Sequence, residues 1–498
     1  MSNHSRRDVL KAAGIATGIG LSGYGLSTVE NGTVRAAEAG TSGTWPMARN
    51  NAQGTRFNDD AVSPVTELET VWTWNGDEQG LEAPPIVDDD TVYVVEVIDD
   101  MDSGVTQLRA LDADDGTERW SYESTFSRGP PAVAGDLVYH QTDTLAALDK
   151  ADGSVRWEAP VYLGNDPILD GETLYVDGYD TEMETNVLRA YDRRSGDVQW
   201  EIETEYQPNT TLVVSNDTLY VPWEDGLRVH DAATGDEQTL IDQYGAVDTA
   251  AVYEGSLFLN SDDGLVALDE ASREERWTLP GEYFEAIGEG LVFGNREADI
   301  TAYDAETGEE VWAFEGISRN EGGEPTVANG AVYLTGLYPN GGPDNLLLLV
   351  LEATTGTVYS KTPVGNREAF ATSAIPVDDR VYFGEHHIGW SVRGGKDLYV
   401  LEGPAAKNMH AIEIDSTPDL DSTDFDEGDS VTLDASGSVD PNGEIVKFEW
   451  DTTGDGEFNR SGPKIEMDLS YCGYQDVTVR TTDNDGDSFT KTIRISTK

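Results

Sequence analysis

The chain has a single cysteine and only nine lysines in 498 residues. One cysteine excludes a disulfide framework and any site built from paired thiols. Basic residues number 32 against 95 acidic ones, for a formal net charge of −63. A field of that sign excludes a nucleic acid partner. Beyond the first 26 residues no apolar run approaches the ~18 residues of a membrane helix, so no transmembrane segment is expected in the mature chain. What the chain has in quantity is aromatic: 11 Trp, 21 Tyr and 12 Phe. That is material for packed cores, and it separates the chain from the disordered class its charge alone would suggest. The length calls for more than one domain.

Self-repulsion of this size opposes a compact state at low salt, and at molar salt, where the Debye length is ~3 Å, it is largely screened. The acids are spread over every segment rather than gathered in one block, as a dedicated basic partner would favour. An acidic, lysine-poor chain of this kind resembles the proteins of halophilic archaea.

The N-terminus reads as an address. Ser5-Arg6-Arg7-Asp8-Val9-Leu10-Lys11 is followed by a weakly apolar, Gly-rich stretch from Ala12 to Leu26 and by the small-x-small sequence Ala37-Glu38-Ala39. This order resembles a twin-arginine signal, a route that carries folded proteins. Residues 1–39 are therefore expected to be the signal, and the mature chain extracellular or at the cell surface. No cysteine follows the apolar stretch to take a lipid. Gly18, Gly20 and Gly23 match a dinucleotide fingerprint in letters only, since no strand precedes them.

One element recurs about every forty residues: an apolar residue, Asp, three residues, Gly, three residues, Trp. Full copies are Leu111-Asp112…Gly116…Trp120, Leu148-Asp149…Gly153…Trp157, Tyr191-Asp192…Gly196…Trp200 and Tyr303-Asp304…Gly308…Trp312. Three copies are degraded. One has His230-Asp231 and Gly235 but Thr239 for Trp; one has Asp269 and Trp277 but Arg273 for Gly; the last has Glu352 and Gly356 but Ser360. Before each copy stands a short strand, a polar turn and an apolar strand carrying an aromatic, at Tyr93, Tyr139, Tyr175, Tyr220, Phe258, Phe293, Tyr333 and Tyr382. Asp opens a turn by bonding its own backbone, and Gly supplies the positive φ. Trp then offers a large face to a neighbouring sheet. Forty residues accommodate four short strands, and such sheets in series suggest radial packing. The expectation is an all-β chain with an eight-bladed β-propeller over residues 40–405, seven blades being the alternative. Trp72, in a strand with no unit before it, is expected to complete the last blade and close the ring.

The copies Leu111–Trp120 and Tyr303–Trp312 resemble the pyrroloquinoline-quinone (PQQ)-like propeller repeat, and Trp45-Pro46-Met47 with Asn50 is similar to its lead-in. The resemblance covers about residues 45–405 and implies the fold, not one function. The family includes quinone-dependent alcohol dehydrogenases, whose propeller holds PQQ and calcium, and non-enzymatic scaffolds such as the propeller subunit of the bacterial outer-membrane barrel-assembly machinery. The dehydrogenases characteristically stack the quinone on a vicinal disulfide, and residues 40–405 contain no cysteine.

After Glu402 the repeat stops. Gly428–Ser438, Asp440-Pro441-Asn442-Gly443, Ile445–Asp451, Val477–Arg480 and Thr482–Gly486 follow in an order of short strands and turns. That order resembles the polycystic-kidney-disease (PKD) domain, which implies a small immunoglobulin-like β-sandwich over residues 406–498, acting as a spacer or a surface contact.

Little in the chain carries catalytic chemistry. Asp451 and Asp455 with Gly456 half-match a calcium loop, but Thr453 and Gly462 stand where ligands belong, so a plain turn competes with the metal reading. Cys472 between Tyr471 and Tyr474 reads as a small buried hydrophobe. His386-His387 lacks further metal ligands at set spacing. The segments Asp99–Gly104, Glu182–Asn186 and Tyr338–Asp344 are longer than other loops and are candidates for ligand contact. The sequence thus points to a secreted or cell-surface, non-catalytic, monomeric propeller binding a protein or carbohydrate, with no cofactor and no catalytic residues. The alternative is a PQQ-dependent oxidoreductase using PQQ and calcium.

Overall fold

The computed structural model describes residues 44–497 apart from 99–104, 315–321, 338–345, 365–369, 387–396, 404–411, 419–424, 439–444 and shorter stretches such as 455–457 and 470–472. The expected signal, residues 1–39, lies outside the described residues. Those described are strands and turns, with no α-helix among them. From residue 44 to residue 402 they form eight sheets of four or five strands.

The second sheet shows the unit in its plainest form. Ala132–Ala134, Leu137–Gln141, Leu145–Asp149 and Val155–Ala159 pair antiparallel in sequence order. Both faces are covered by neighbours, so Leu137–Gln141 is buried at every position. The turn after the third strand is built as the Asp–Gly spacing predicts. Asp149 Oδ1 accepts the Ala151 N–H at 2.8 Å, and the Gly153 N–H reaches the Asp149 carbonyl at 2.9 Å. Gly153 has φ +71°, where a side chain would be strained. A bulge follows Ala147 and sets the direction of the outer strand.

Trp links six of the eight sheets to the next. The Trp120 indole N–H of the first sheet donates to the Lys150 carbonyl of the second at 2.9 Å. Its six-membered ring lies so close over Gly153 that a Cβ there would meet Trp120 Cε3 at 2.6 Å. The same two contacts join Trp72 to Ala113 and Gly116, Trp157 to Arg193 and Gly196, and Trp200 to Ala232 and Gly235. They also join Trp277 to Ala305 and Gly308, and Trp312 to Ala353 and Gly356. Gly is therefore required twice, for its backbone angle and for the ring pressed against it.

This explains why the degraded copies are coupled. Thr239 stands where the fourth sheet's Trp would be, so no ring covers the turn of the fifth sheet, and there Arg273 takes the Gly position at φ +60°. Likewise Ser360 of the seventh sheet precedes an eighth sheet with no Asp–Gly turn. The positive φ persists without Trp, but the steric demand for Gly does not.

The pairing expected for Trp72 is present: Glu69–Asn75 runs antiparallel to Asp397–Glu402, with Trp72 opposite Val400. Two further sheets follow, one of Asp415–Thr417, Ser430–Asp434 and Lys464–Asp468, the other of Ile445–Asp451, Arg460–Ser461, Gly473–Asp483 and Ser488–Thr497. Val431, Leu433 and Ile465 from one sheet and Trp450, Val477 and Phe489 from the other share one buried cluster.

Candidate functional site

The inner strands of the eight sheets meet a single stretch of chain. Thr44–Trp45 pairs with Asp88 and Val87 of the first sheet. The Pro46 carbonyl then accepts from Val133 of the second, Ala52 from Val214 of the fourth, Gln53 from Val252 of the fifth, Thr55 from Ile287 of the sixth and Arg56 from Val327 of the seventh. Asn58 donates from Nδ2 to Pro376 of the eighth at 3.3 Å. Met47 and Ala52 pack in the cluster that holds Ile168 and Leu169 of the third. Residues 44–58 thus visit the sheets in chain order. The segment is held through backbone groups at equivalent places, the middles of short inner strands.

Arg49 projects from this segment into a buried setting. Its guanidinium donates to the Ala250 carbonyl at 3.1 Å and lies 6.0 Å from the Phe284 ring centre. Burial pushes its pKa down to about 10, with the charge of Asp166 acting the other way. Several polar side chains on the second strands bond to neighbouring backbone. Gln141 donates to the Asp177 carbonyl at 2.8 Å, Asn260 brackets Phe284 with two bonds of 2.8 Å, and Thr335 reaches the Thr372 carbonyl at 2.9 Å.

Asp177 is one of several carboxylates buried on these strands. It is buried beside a small pocket of about 240 Å³ lined by Gln141, Asn165 and Asp166. Burial raises its pKa to about 7, countered only in part by the Asn165 backbone and side-chain N–H groups, while Asp166 adds to the rise. The folded chain therefore holds a proton that the unfolded chain has released, and stability falls as pH climbs from the ordinary carboxylate range to about 7, then levels. Asp177→Asn is expected to remove this slope and to be more stable than the parent above pH ~8 by roughly 2 kcal/mol. Denaturant midpoints across pH test it, and an unchanged slope would place the carboxylate ionised in the fold.

A larger cleft of about 450 Å³ opens between the third and fourth sheets. Its apolar wall is Leu188, Ile202 and Val221. Trp223 and Gly226 face each other across a two-residue hairpin, which sets Glu224 and Asp225 at the mouth. The Arg228 guanidinium lies 5.5 Å from the Trp223 ring centre and is held by Asp225 at 2.6 Å and Glu237 at 2.9 Å. Glu203, Glu205 and Glu224 complete an acidic rim. His230, the residue that breaks the repeat's apolar position, lines the cleft and places Nδ1 3.0 Å from the Gly235 carbonyl.

A family profile described as outer membrane protein assembly factor BamB, of the PQQ_2 type, matches residues 66–166, 105–239 and 262–455, together more than half of the chain. The chain belongs to the PQQ_2 family. A comparison with curated proteins finds no match. Among solved structures, a quinohemoprotein alcohol dehydrogenase, ADHIIG of Pseudomonas putida HK5, is similar with a TM-score of 0.56 at 13% identity, over 74% of this chain and 81% of that one. BamB from Moraxella catarrhalis is 18% identical with a TM-score of 0.48, over 67% and 97%. The computationally designed protein Ika8 is 12% identical with a TM-score of 0.51, over 67% and 99%. The family match and the likeness to the dehydrogenase establish a PQQ-like β-propeller fold.

A quinohemoprotein alcohol dehydrogenase shares this fold, so the fit of the site to a quinone with calcium can be asked of the residues themselves. Among the described residues no three carboxylate, histidine or cysteine side chains converge as a metal site. Asn260 and Thr335 are spent on backbone, Gln141 donates to it from Nε2 while its Oε1 is left without a partner, and residues 44–58 occupy the inner ends of the sheets. Among the described residues this donor set does not fit such a group.

Asp451 is buried, and its Oδ1 accepts the N–H groups of Thr453 at 2.9 Å and Gly454 at 2.8 Å. That is the geometry of an Asx turn. Its expected calcium partner Asp455 lies outside the described residues, as do Cys472, His387 and the loops 99–104 and 338–345. The Glu182–Asn186 loop is described: Asp180 caps it by accepting from Glu182 and Met183, and pairs with Arg189 at 2.5 Å. The segment at 44–58 and the Trp223 cleft were not legible as sites. Backbone bonding leaves no residue signature, and the cleft's only trace in sequence is His230 at an apolar repeat position.

Proposed function

We propose that this chain is an exported, non-catalytic binding protein: a monomeric eight-bladed propeller over residues 40–405 whose eighth blade is completed by Glu69–Asn75, followed by a PKD-type immunoglobulin-like module over 406–498 that serves as spacer or second contact. Its partner is a protein or a glycan. The observation that carries this reading is the run of residues 44–58 across the inner strands, with inward polar groups such as Asn260 and Thr335 bonded to backbone beside it. A family that includes an assembly factor supplies precedent for propellers that bind rather than react. Residues 1–39 act as a twin-arginine signal and place the mature chain outside the cell or at its surface, and the acidic composition suits strong salt. The Asp451 turn is structural on this reading.

The test is a titration of the purified chain with PQQ and calcium, followed by the quinone absorption band and by alcohol oxidation with an artificial electron acceptor. No saturable change and no turnover are expected. Saturation near one quinone per chain would overturn the proposal in favour of an oxidoreductase.

A further inference from the structure

We propose that the cleft between the third and fourth sheets is a saccharide site that takes a neutral pyranose unit of a glycan. This rests on the reading of the propeller as a binding protein and names the class of ligand. Three polar groups in the cleft have no partner within the described protein. Thr204 Oγ1 is buried without a hydrogen bond. Trp223 is 8% exposed and His230 4%, and neither the indole N–H nor the second imidazole nitrogen makes a hydrogen bond among the described residues. By contrast the Trp residues that join the sheets, such as Trp120 and Trp200, each donate to a carbonyl. Buried polar groups are ordinarily paired, and Thr204 Oγ1 is buried and is not; the indole N–H and the imidazole nitrogen are open to the cleft, so all three stand unspent toward whatever enters it.

Their chemistry selects the ligand. Bonding to the Gly235 carbonyl fixes the His230 proton on Nδ1, which leaves Nε2 of the neutral ring an acceptor. The Trp223 indole is a donor only, and the Thr204 hydroxyl is both. A molecule that both donates and accepts at closely spaced positions satisfies all three, and that is what the hydroxyls of a sugar ring do. An alkylammonium ion only donates, which would leave the indole unpaired, and the cation place over Trp223 is already held by Arg228. Acidic sugars are disfavoured by Glu203 and Glu224, which have no ion-pair partner among the described residues. The apolar wall of Leu188, Ile202 and Val221 suits the C–H face of a pyranose, and the volume of about 450 Å³ has room for one or two rings. A neutral ligand held by hydrogen bonds also keeps its affinity when salt screens charge.

The experiment is saturation-transfer NMR with the full mature chain in molar potassium chloride. The probes are the methyl glycosides of glucose, galactose, mannose and N-acetylglucosamine, with glucuronate and N-acetyl-lysine methylamide as charged comparisons. At least one neutral glycoside is expected to bind saturably and with little dependence on salt. His230→Leu restores the residue type of the same repeat position, as in Leu148 and Leu268, so the fold is retained, and it should weaken binding at least about tenfold. Binding of none of the glycosides, preference for the lysine analogue, or unchanged binding in His230→Leu would each overturn the assignment. None of these outcomes bears on the quinone titration, which tests the non-catalytic reading separately.

Discussion

Trp120→Ala is expected to destabilise the chain by about 3–5 kcal/mol, the range for removing a large aromatic from a packed interior. Three things disappear together: the contact with Tyr93, 5.9 Å between ring centres, the bond to Lys150 and the cover over Gly153. Gly153→Ala is expected to cost about 2–3 kcal/mol, part from the left-handed backbone and part from collision with the indole. The collision cannot occur once the indole is gone, so the double variant should lose less than the sum of the two, by about 1 kcal/mol or more. Denaturant midpoints of the four proteins in molar salt give the cycle. Strict additivity would mean that ring and glycine do not sense each other. The natural Arg273 is the control. It holds a positive φ where no Trp presses, and Arg273→Gly is expected to change stability by no more than about 0.5 kcal/mol.

The second large effect concerns salt. With 95 acidic and 32 basic residues, the cations can neutralise only a third of the carboxylates, and many are already engaged. Arg156 sits on Asp149, Arg119 on Asp112 and Asp90, and Arg276 on Asp269. At an ionic strength of ~0.1 M the Debye length is ~10 Å, long enough for the remaining acids to repel across neighbouring turns. A folding margin of ~5–15 kcal/mol does not withstand such repulsion over a whole surface. The chain is expected to lose its sheet signal in circular dichroism as salt falls from molar to ~0.1 M, and to regain it on return. A spectrum and thermal midpoint indifferent to salt would remove strong salt as the reason for the charge and direct attention to a cationic partner.

The repeat was legible because its physics is local. An Asp that caps its own turn, a Gly at positive φ and a Trp four residues on can each be recognised without a neighbour, and Asp149, Gly153 and Trp157 do what their spacing implies. Even the strand carrying Trp72 announced its pairing by lacking a unit in front of it. What was not legible belongs to pairs of sheets. The loss of Trp at 239 and of Gly at 273 looks like independent decay until the indole is seen to lie on the next turn. The cleft is hidden for the same reason, since Ile202 and Thr204 come from one sheet and Trp223 and His230 from the next. The inner segment is silent in sequence because carbonyls such as those of Ala52 and Gln53 bond alike whatever the side chain.

That segment also sets an order of events. Its partners lie far along the chain, at Ala250 for Arg49 and at Pro376 for Asn58. The segment can settle only after the inner strands from Val133 to Pro376 exist to receive it. Contacts so distant in sequence close late, because the entropy of the intervening loop must be overcome first. This segment is thus the last piece to lock, and its docking reports that the sheets that receive it have formed.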